Sequence, residues 1–492
     1  MIPPPRRTRL QTLTLVGGPV LGVAVAAVAH AGGLSLPASL CAWVAVVCAV
    51  WWIFESLHLA VVGLFPFAAL PMLGILDHKR VAASYGHTMI LLLLGGFLLS
   101  AAMERSGAHR RIALTLVRAV GGRGGRFVVL GFMIATASLS MWISNAATTL
   151  MMLPIAMAVL TAAGEHRDRL RTPLLLGIAY AASVGGMATP IGTPPNVVFM
   201  GFIEETYQRE ITFARWMTFG LPITLAMLPL IWIWVTRRIG DLPAVAMPPV
   251  GPWRSAEVRV LVVFAVTAGL WMTRTGPGGG WSAMLGSFAP TLADSIGDTT
   301  VALAACMALF MMPAGSELDV APELEATEEG RSGNVDAAAP LLDWPTAARI
   351  PWGILIMFGG GLALADAFKA TGLSTSIGGA LSFVAAAPPL VTIAAVCLLM
   401  NFLTEMTSST ATATLMMPIL GSLADATGMP PEAVLIPGTI SASCAFMLPV
   451  ATAPNTIVFG AGEIGTGEMA RTGFVLNLVA AAVVIGVCGW RF

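Results

Sequence analysis

Two stretches of this chain repeat one another inside apolar sequence: residues 144–154 read SNAATTLMMLP and residues 408–418 read SSTATATLMMP, 264 positions apart at both ends. Each is followed by a proline-bearing partner, PIGTPPN at 190–196 and PVATAPN at 449–455. A duplication of this kind requires two related halves. Hydroxyls and amides flanked by membrane-grade sequence, once per half, are what a polar-solute site between internal repeats needs. Small residues also pack membrane helices, and a lone SNAATT would be read that way. Two copies beside two broken strings favour a transport site.

With 57% hydrophobic residues, 11% charged residues and a mean hydropathy of +0.83, the chain is too apolar to present a wet globular surface. It is predicted to be an all-α polytopic membrane protein, with room for roughly ten to twelve spans of about 20 residues. Zero formal charge gives no reason to expect a nucleic-acid partner. Cys41, Cys48, Cys306, Cys397, Cys444 and Cys488 sit in or beside apolar runs without metal-ligand spacing, and read as small membrane-core residues. Arg6, Arg7 and Arg9 precede an apolar stretch over 13–31, expected to be a retained first span rather than a cleaved signal because more spans follow at once.

Apolar runs predict eleven spans near 13–31, 38–54, 57–76, 88–104, 172–203, 216–236, 257–273, 297–313, 350–368, 432–462 and 471–490. The motif-bearing segments 126–164 and 386–424 remain. Arg105, Arg110, Arg111, Arg118, Arg123 and Arg126 lead into the first, and Arg167, Arg169 and Arg171 follow it. Around the second, residues 370–432 contain no Lys or Arg, while Asp425 and Glu432 follow the motif. By the positive-inside bias both ends of the first are cytoplasmic and both ends of the second external. Each is then a re-entrant hairpin, the two entering from opposite sides, as inverted repeats require.

On this count the N-terminus, Arg237, Arg238 and the loop 314–349 are cytoplasmic. Lys79 and Arg80 fall outside as the one exception, partly balanced by Asp77. Glu317, Asp319, Glu323, Glu325, Glu328 and Glu329 make the loop an acidic, flexible linker without calcium-loop spacing. The short loops point to a bacterial-type inner membrane. Glu405, the one acid inside either hairpin, reads as a proton or cation site or as a buried structural hydrogen bonder. His58 and His87 lie near span ends, where interfacial histidine is commonplace. Arg110, Arg111 and Arg118 suit an amphipathic helix on lipid headgroups.

Most of the chain resembles the divalent anion/sodium symporter family, the dicarboxylate, citrate and sulfate carriers. The resemblance rests on WWIFESLHLAVVGLFP (51–66), ILLLLGGFLLSAAMERSG (90–107), LSMWISNAATT (139–149), IGTPPN (191–196), IPWGILIMFGGGLALADAFKATGL (350–373), NFLTEMTSSTATAT (401–414) and SCAFMLPVATAPN (443–455). It implies a homodimer whose protomers each combine a fixed scaffold with a transport domain that moves like an elevator. Scaffold helices of the first repeat would occupy 1–125, and a transport-domain half with the cytoplasmic-side hairpin 126–236. Linker and scaffold of the second repeat would follow over 237–385, and the transport half with the external-side hairpin over 386–492.

A carboxylate in mid-membrane needs donors, and neither motif contains Arg or Lys, so hydroxyls, amides, helix N-termini and co-bound cations must serve. Prolines in the broken strings free such groups. The resemblance implies a first sodium site at Ser140, Ser144, Asn145 and Gly192, and a second at Thr404, Thr407, Ser409 and Ala451. Substrate would touch Ser144, Asn145, Thr193, Ser408, Ser409, Thr410 and Thr452. No cofactor is implied beyond sodium as the coupling ion.

Two departures stand out: Ala146 replaces a hydroxyl of the family's Ser-Asn-Thr string, and Ser409 replaces its amide. The expected function is sodium-driven import of a C4-dicarboxylate such as succinate, malate or fumarate. Alternatives are a sodium-independent dicarboxylate exchanger or a carrier of sulfate or citrate. From another class, a membrane enzyme or sensor lacks a nucleophile–base set or soluble domain to support it.

Overall fold

Helices account for all the regular secondary structure of the described residues apart from one isolated bridge, Pro313 to Pro340. The structure is a computed structural model describing residues 7–121, 124–240, 250–275, 279–315, 338–381, 383–384 and 387–492. In the first half come α1 (Arg9–Ala31), α2 (Leu36–Ile53), α3 (Leu59–Met72), α4 (His78–Tyr85), α5 (Thr88–Ser106), α6 (Ala108–Gly121), α7 (Gly125–Ser140), α8 (Asn145–Ala162), α9 (Arg167–Gly186), α10 (Pro194–Tyr207) and α11 (Phe213–Thr236). The second half holds α12 (Ser255–Thr273), α13 (Gly280–Phe288), α14 (Pro290–Ser295), α15 (Asp298–Met311), α16 (Trp344–Ala347), α17 (Trp352–Thr371), α18 (Leu373–Ala380), α19 (Pro389–Glu405), α20 (Ser409–Thr427), α21 (Pro431–Ala442), α22 (Ala453–Gly460) and α23 (Thr466–Arg491).

Eight helical segments among the described residues are long and apolar enough to cross a membrane: α1, α2, His78–Ser106, α8, α11, α12, α17 and α23. The predicted spans 172–203 and 432–462 are each two helices, α9/α10 and α21/α22, parted at the proline-bearing strings. Both predicted hairpin segments are helix–turn–helix units, α7/α8 and α19/α20, whose turns fall on the repeated motifs. Packing follows the same scheme in both halves. α7 lies on α9 as α19 lies on α21; across the halves, α8 packs on α22 and α20 on α10.

Proline inside a helix orphans the carbonyl four residues back, and side chains answer that need here. Pro19 leaves Leu15 O without its helical partner, and Trp51 Nε1 donates to it at 3.1 Å. Pro222 does the same to Thr218 O, which accepts from Arg491 Nη1 at 2.6 Å.

Two expectations are corrected. Arg111 does not face lipid: it is buried, its Nε donates to Glu257 Oε2 at 2.7 Å, and its guanidinium covers the Trp253 ring. Arg110 and Arg118 of that helix are exposed. The linker 314–349 is structured at both edges, with Ala314 N donating to Ala339 O at 2.8 Å and Asp343 paired with Arg105 at 2.7 Å. Arg6, Arg123 and the loop acids from Glu317 to Glu329 lie outside the described residues. His58 and His87 are helix N-caps, accepting from Ala60 N at 3.3 Å and Met89 N at 3.2 Å. All six cysteines are buried and free, as expected.

Candidate functional site

In the first half, the hairpin turn (141–144) faces the helix break (187–193). Ser140, fully buried at the end of α7, has its hydroxyl 2.8 Å from Ala182 O and 2.6 Å from Asn145 Oδ1. Asn145 Oδ1 meets a ring of oxygens, and two arrangements satisfy it. Either the amide reverses, its nitrogen then donating to Ser140 Oγ (2.6 Å), Ala182 O (3.1 Å) and Gly192 O (3.3 Å), or a cation sits among these oxygens. Carbonyl, hydroxyl and amide oxygens from three chain segments form a donor set suited to sodium. Gly192 is required for the approach: a Cβ there would lie 2.5 Å from Gly186 O and 2.9 Å from Ser140 O. Ser144 caps α8, accepting from Ala147 N at 3.3 Å, while buried Thr193 begins α10 without a side-chain cap bond.

The second half differs. Thr404, at Ser140's equivalent position, donates to Ala442 O at 2.9 Å, so that link is repeated. Ser409, equivalent to Asn145, has no side-chain hydrogen bond among the described residues, and Ala451 is buried in the break. Thr407 turns to Leu403 O (3.0 Å) and to the Thr412 hydroxyl. Ser408 starts α20 without capping it, Thr410 is buried in its first turn, and Thr452 caps α22, accepting from Asn455 N at 3.3 Å. Thus Ser140, Asn145 and Gly192 are brought together, whereas Thr404, Thr407, Ser409 and Ala451 are not joined into one cluster.

Glu405 fastens the second break instead. Its Oε1 accepts from Phe446 N (2.8 Å), Met447 N (2.9 Å) and Asn477 Nδ2 (2.6 Å), and its Oε2 from Leu448 N (3.0 Å). All these neighbours are donors, which favours the structural hydrogen-bonding reading over a proton site. The two breaks touch: Tyr180 O–H donates to Phe446 O at 2.9 Å, and Cys444 Sγ lies 3.7 Å from Met187 Sδ.

Residues 49–434, most of the chain, match the family model described as citrate transporter. The chain belongs to the citrate transporter family. This citrate transporter family member is 37% identical over 458 residues to the sodium-dependent dicarboxylate transporter SdcS of Staphylococcus saprophyticus, covering 89% of this chain and 83% of that one. With SdcS of Staphylococcus aureus it shares 34% identity over 457 residues, 89% of this chain and 82% of the relative.

In fold it is similar to the Alcanivorax borkumensis YdaH transporter (TM-score 0.58, 15% identity, 85% of this chain and 90% of that chain). It is also similar to Neisseria gonorrhoeae MtrF (TM-score 0.53, 13% identity, 84% and 83%). Family membership makes it a multi-pass membrane transporter and sets the enzyme and sensor readings aside.

Within this citrate transporter fold the motif reading missed Ala182 O, Asn477, Asn196 and Asn455. Asn196 and Asn455 were marked by the duplication itself, since each closes its proline-bearing string. Nothing local marks Asn477, which meets Glu405 from 72 residues away.

Proposed function

We propose that this protein imports C4-dicarboxylates such as succinate, malate or fumarate in symport with sodium. The observation that carries the reading is the oxygen cluster of Ser140, Asn145, Ala182 and Gly192, whose Asn145 oxygen a cation would satisfy. The relatives named as sodium-dependent dicarboxylate transporters support the same coupling. Substrate carboxylates would be met by Ser144, Asn145, Thr193, Ser408, Ser409, Thr410 and Thr452, at or beside the N-termini of α8, α10, α20 and α22, where helix dipoles favour anions. A cation held at the N-terminal end of α8 would lower the cost of bringing a dianion beside it, which is how coupling arises.

The architecture proposed with this function is two inverted repeats with hairpins α7/α8 and α19/α20 entering from opposite sides. Residues 126–236 and 386–492 would form the moving domain, and 1–125 and 237–385 the scaffold and linker of an elevator, paired as a homodimer in an inner membrane with a cytoplasmic N-terminus. Ion pairs between distant segments support this topology. Arg167–Glu463, Arg105–Asp343 and Arg111–Glu257 join ends assigned to the cytoplasm; Arg80–Asp366, Arg209–Glu432 and Arg274–Glu210 join ends assigned outside.

The unengaged Ser409 favours a second reading, sodium-independent exchange. Labelled succinate uptake into proteoliposomes, with an inward sodium gradient or with potassium, separates the two. Uptake that needs sodium supports symport. Uptake without sodium, only into vesicles preloaded with dicarboxylate, means exchange; no uptake of succinate refutes both and directs the assay to citrate and sulfate.

A further inference from the structure

One asparagine in each half, completely withdrawn from solvent, bridges the helix break. Asn196 Nδ2 donates to Gly186 O (3.0 Å) and Thr189 O (2.7 Å); Asn455 Nδ2 donates to Ala445 O (3.1 Å) and Leu448 O (3.0 Å). In both cases the acceptors lie ten and seven residues back in the chain. Two acceptors fix which end of each amide faces them, and both Oδ1 atoms are left buried without a donor. A buried polar atom without a partner carries a cost, and the same cost taken twice, in the same geometry, asks for a reason.

We propose that Asn196 and Asn455 are positioning residues for the ion sites, each tying the carbonyls ahead of a break so that the break's own oxygens stay turned toward the hairpin. The inference rests on the reading of the breaks as sodium sites. In the first half the connection is continuous. Asn196 holds Gly186 O; that oxygen lies against Gly192, and Asn145 packs on the Gly186 backbone, where an added Cβ would lie 2.3 Å from Asn145 Oδ1. Loss of the Asn196 amide lets Gly186 and Thr189 relax, and with them the spacing between Gly192 O and Asn145. In the second half Glu405 secures residues 446–448 independently, so the Asn455 staple is duplicated.

The two staples therefore carry unequal weight, and the test uses that. Full-length protein is reconstituted in liposomes, and succinate uptake is measured against sodium concentration and, at saturating sodium, against succinate concentration. Asn196→Ala should raise the half-saturating sodium concentration about tenfold, equivalent to about 1.4 kcal/mol, with succinate KM at saturating sodium little changed. Asn455→Ala should raise it by about threefold, or about 0.65 kcal/mol.

An Asn196→Ala variant with wild-type sodium half-saturation, or with only its maximal rate reduced, overturns the proposal. Should Asn196→Ala fail to fold, the sodium dependence of Asn455→Ala and the sodium-induced rise in melting temperature of Asn196→Ser decide it, no change in either overturning it. Wild-type uptake indifferent to sodium removes the sodium-site reading and this proposal together. Sodium-dependent wild-type uptake with an unaltered variant removes this proposal alone.

Discussion

The two halves have matching elements, yet their breaks are fastened by groups of opposite polarity. In the first, carbonyl and hydroxyl oxygens are drawn together around Asn145, and no charged side chain takes part. In the second, a fixed carboxylate, Glu405, collects the backbone N–H groups of Phe446, Met447 and Leu448, while the residue at Asn145's place is a serine without a side-chain hydrogen bond among the described residues. The equivalent of Glu405 in the first half is Met141. On the proposed reading one half takes an added cation to complete it, whereas the other carries its own anion.

The largest test of this contrast is Glu405→Ala. It leaves the half-buried Met447 and Leu448 N–H groups and the buried Asn477 Nδ2 without this acceptor, at about 1–3 kcal/mol each, while Phe446 N keeps Asn477 Oδ1 at 3.1 Å. Expression with a monodisperse size-exclusion profile should be lost, whereas Met141→Ala should retain it. A well-folded Glu405→Ala protein would dissolve the distinction between the halves.

Next comes Asn145→Ala, which removes ligands and little packing volume: uptake should vanish while expression and oligomeric state are kept. Uptake at the wild-type rate would move the site elsewhere. Gly192→Ala should weaken apparent sodium affinity by about tenfold, about 1.4 kcal/mol, because its Cβ would press on Gly186 O and Ser140 O, whereas Ala451→Gly in the other half should be near neutral. Equal responses from the two substitutions would count against the asymmetry.

The smallest effect is expected for Ser409→Asn, which restores an amide to the second half. The sodium concentration for half-maximal uptake should fall by about threefold, about 0.65 kcal/mol, and an unaltered value would mean that Ser409 has no part in ion binding.

What the chain's letters disclosed about this site was its local chemistry. The turns at 141–144 and 406–408 and the breaks at 187–193 and 443–452 were legible because Ser, Asn and Pro are anomalous inside apolar runs and occur twice. Partnerships between remote residues were not legible. Arg111 looked like an interfacial cation because its helix is amphipathic, and nothing near it announces Glu257, 146 residues on. Glu405 stood open between two roles until Asn477 and the 446–448 amides were found around it. Periodicity reports which face of a helix avoids water; it does not report which remote segment that face meets.

Arg80, on the unexpected side of the proposed topology, forms a bidentate pair with Asp366, both bonds 2.6 Å long. The two are 286 residues apart in the chain. On that topology, while the first half is being threaded into the bilayer Asp366 has not yet been synthesised, and of Asp77 and Asp366 only Asp77 is there to offset the Arg80 charge. On the proposed topology the first half takes its orientation from the arginines that flank its hairpin, and Arg80 gains its carboxylate partner only when the second half arrives beside it. On that topology correct assembly is to that extent a late event in biosynthesis, and a chain released before residue 366 would leave Arg80 without its bidentate partner.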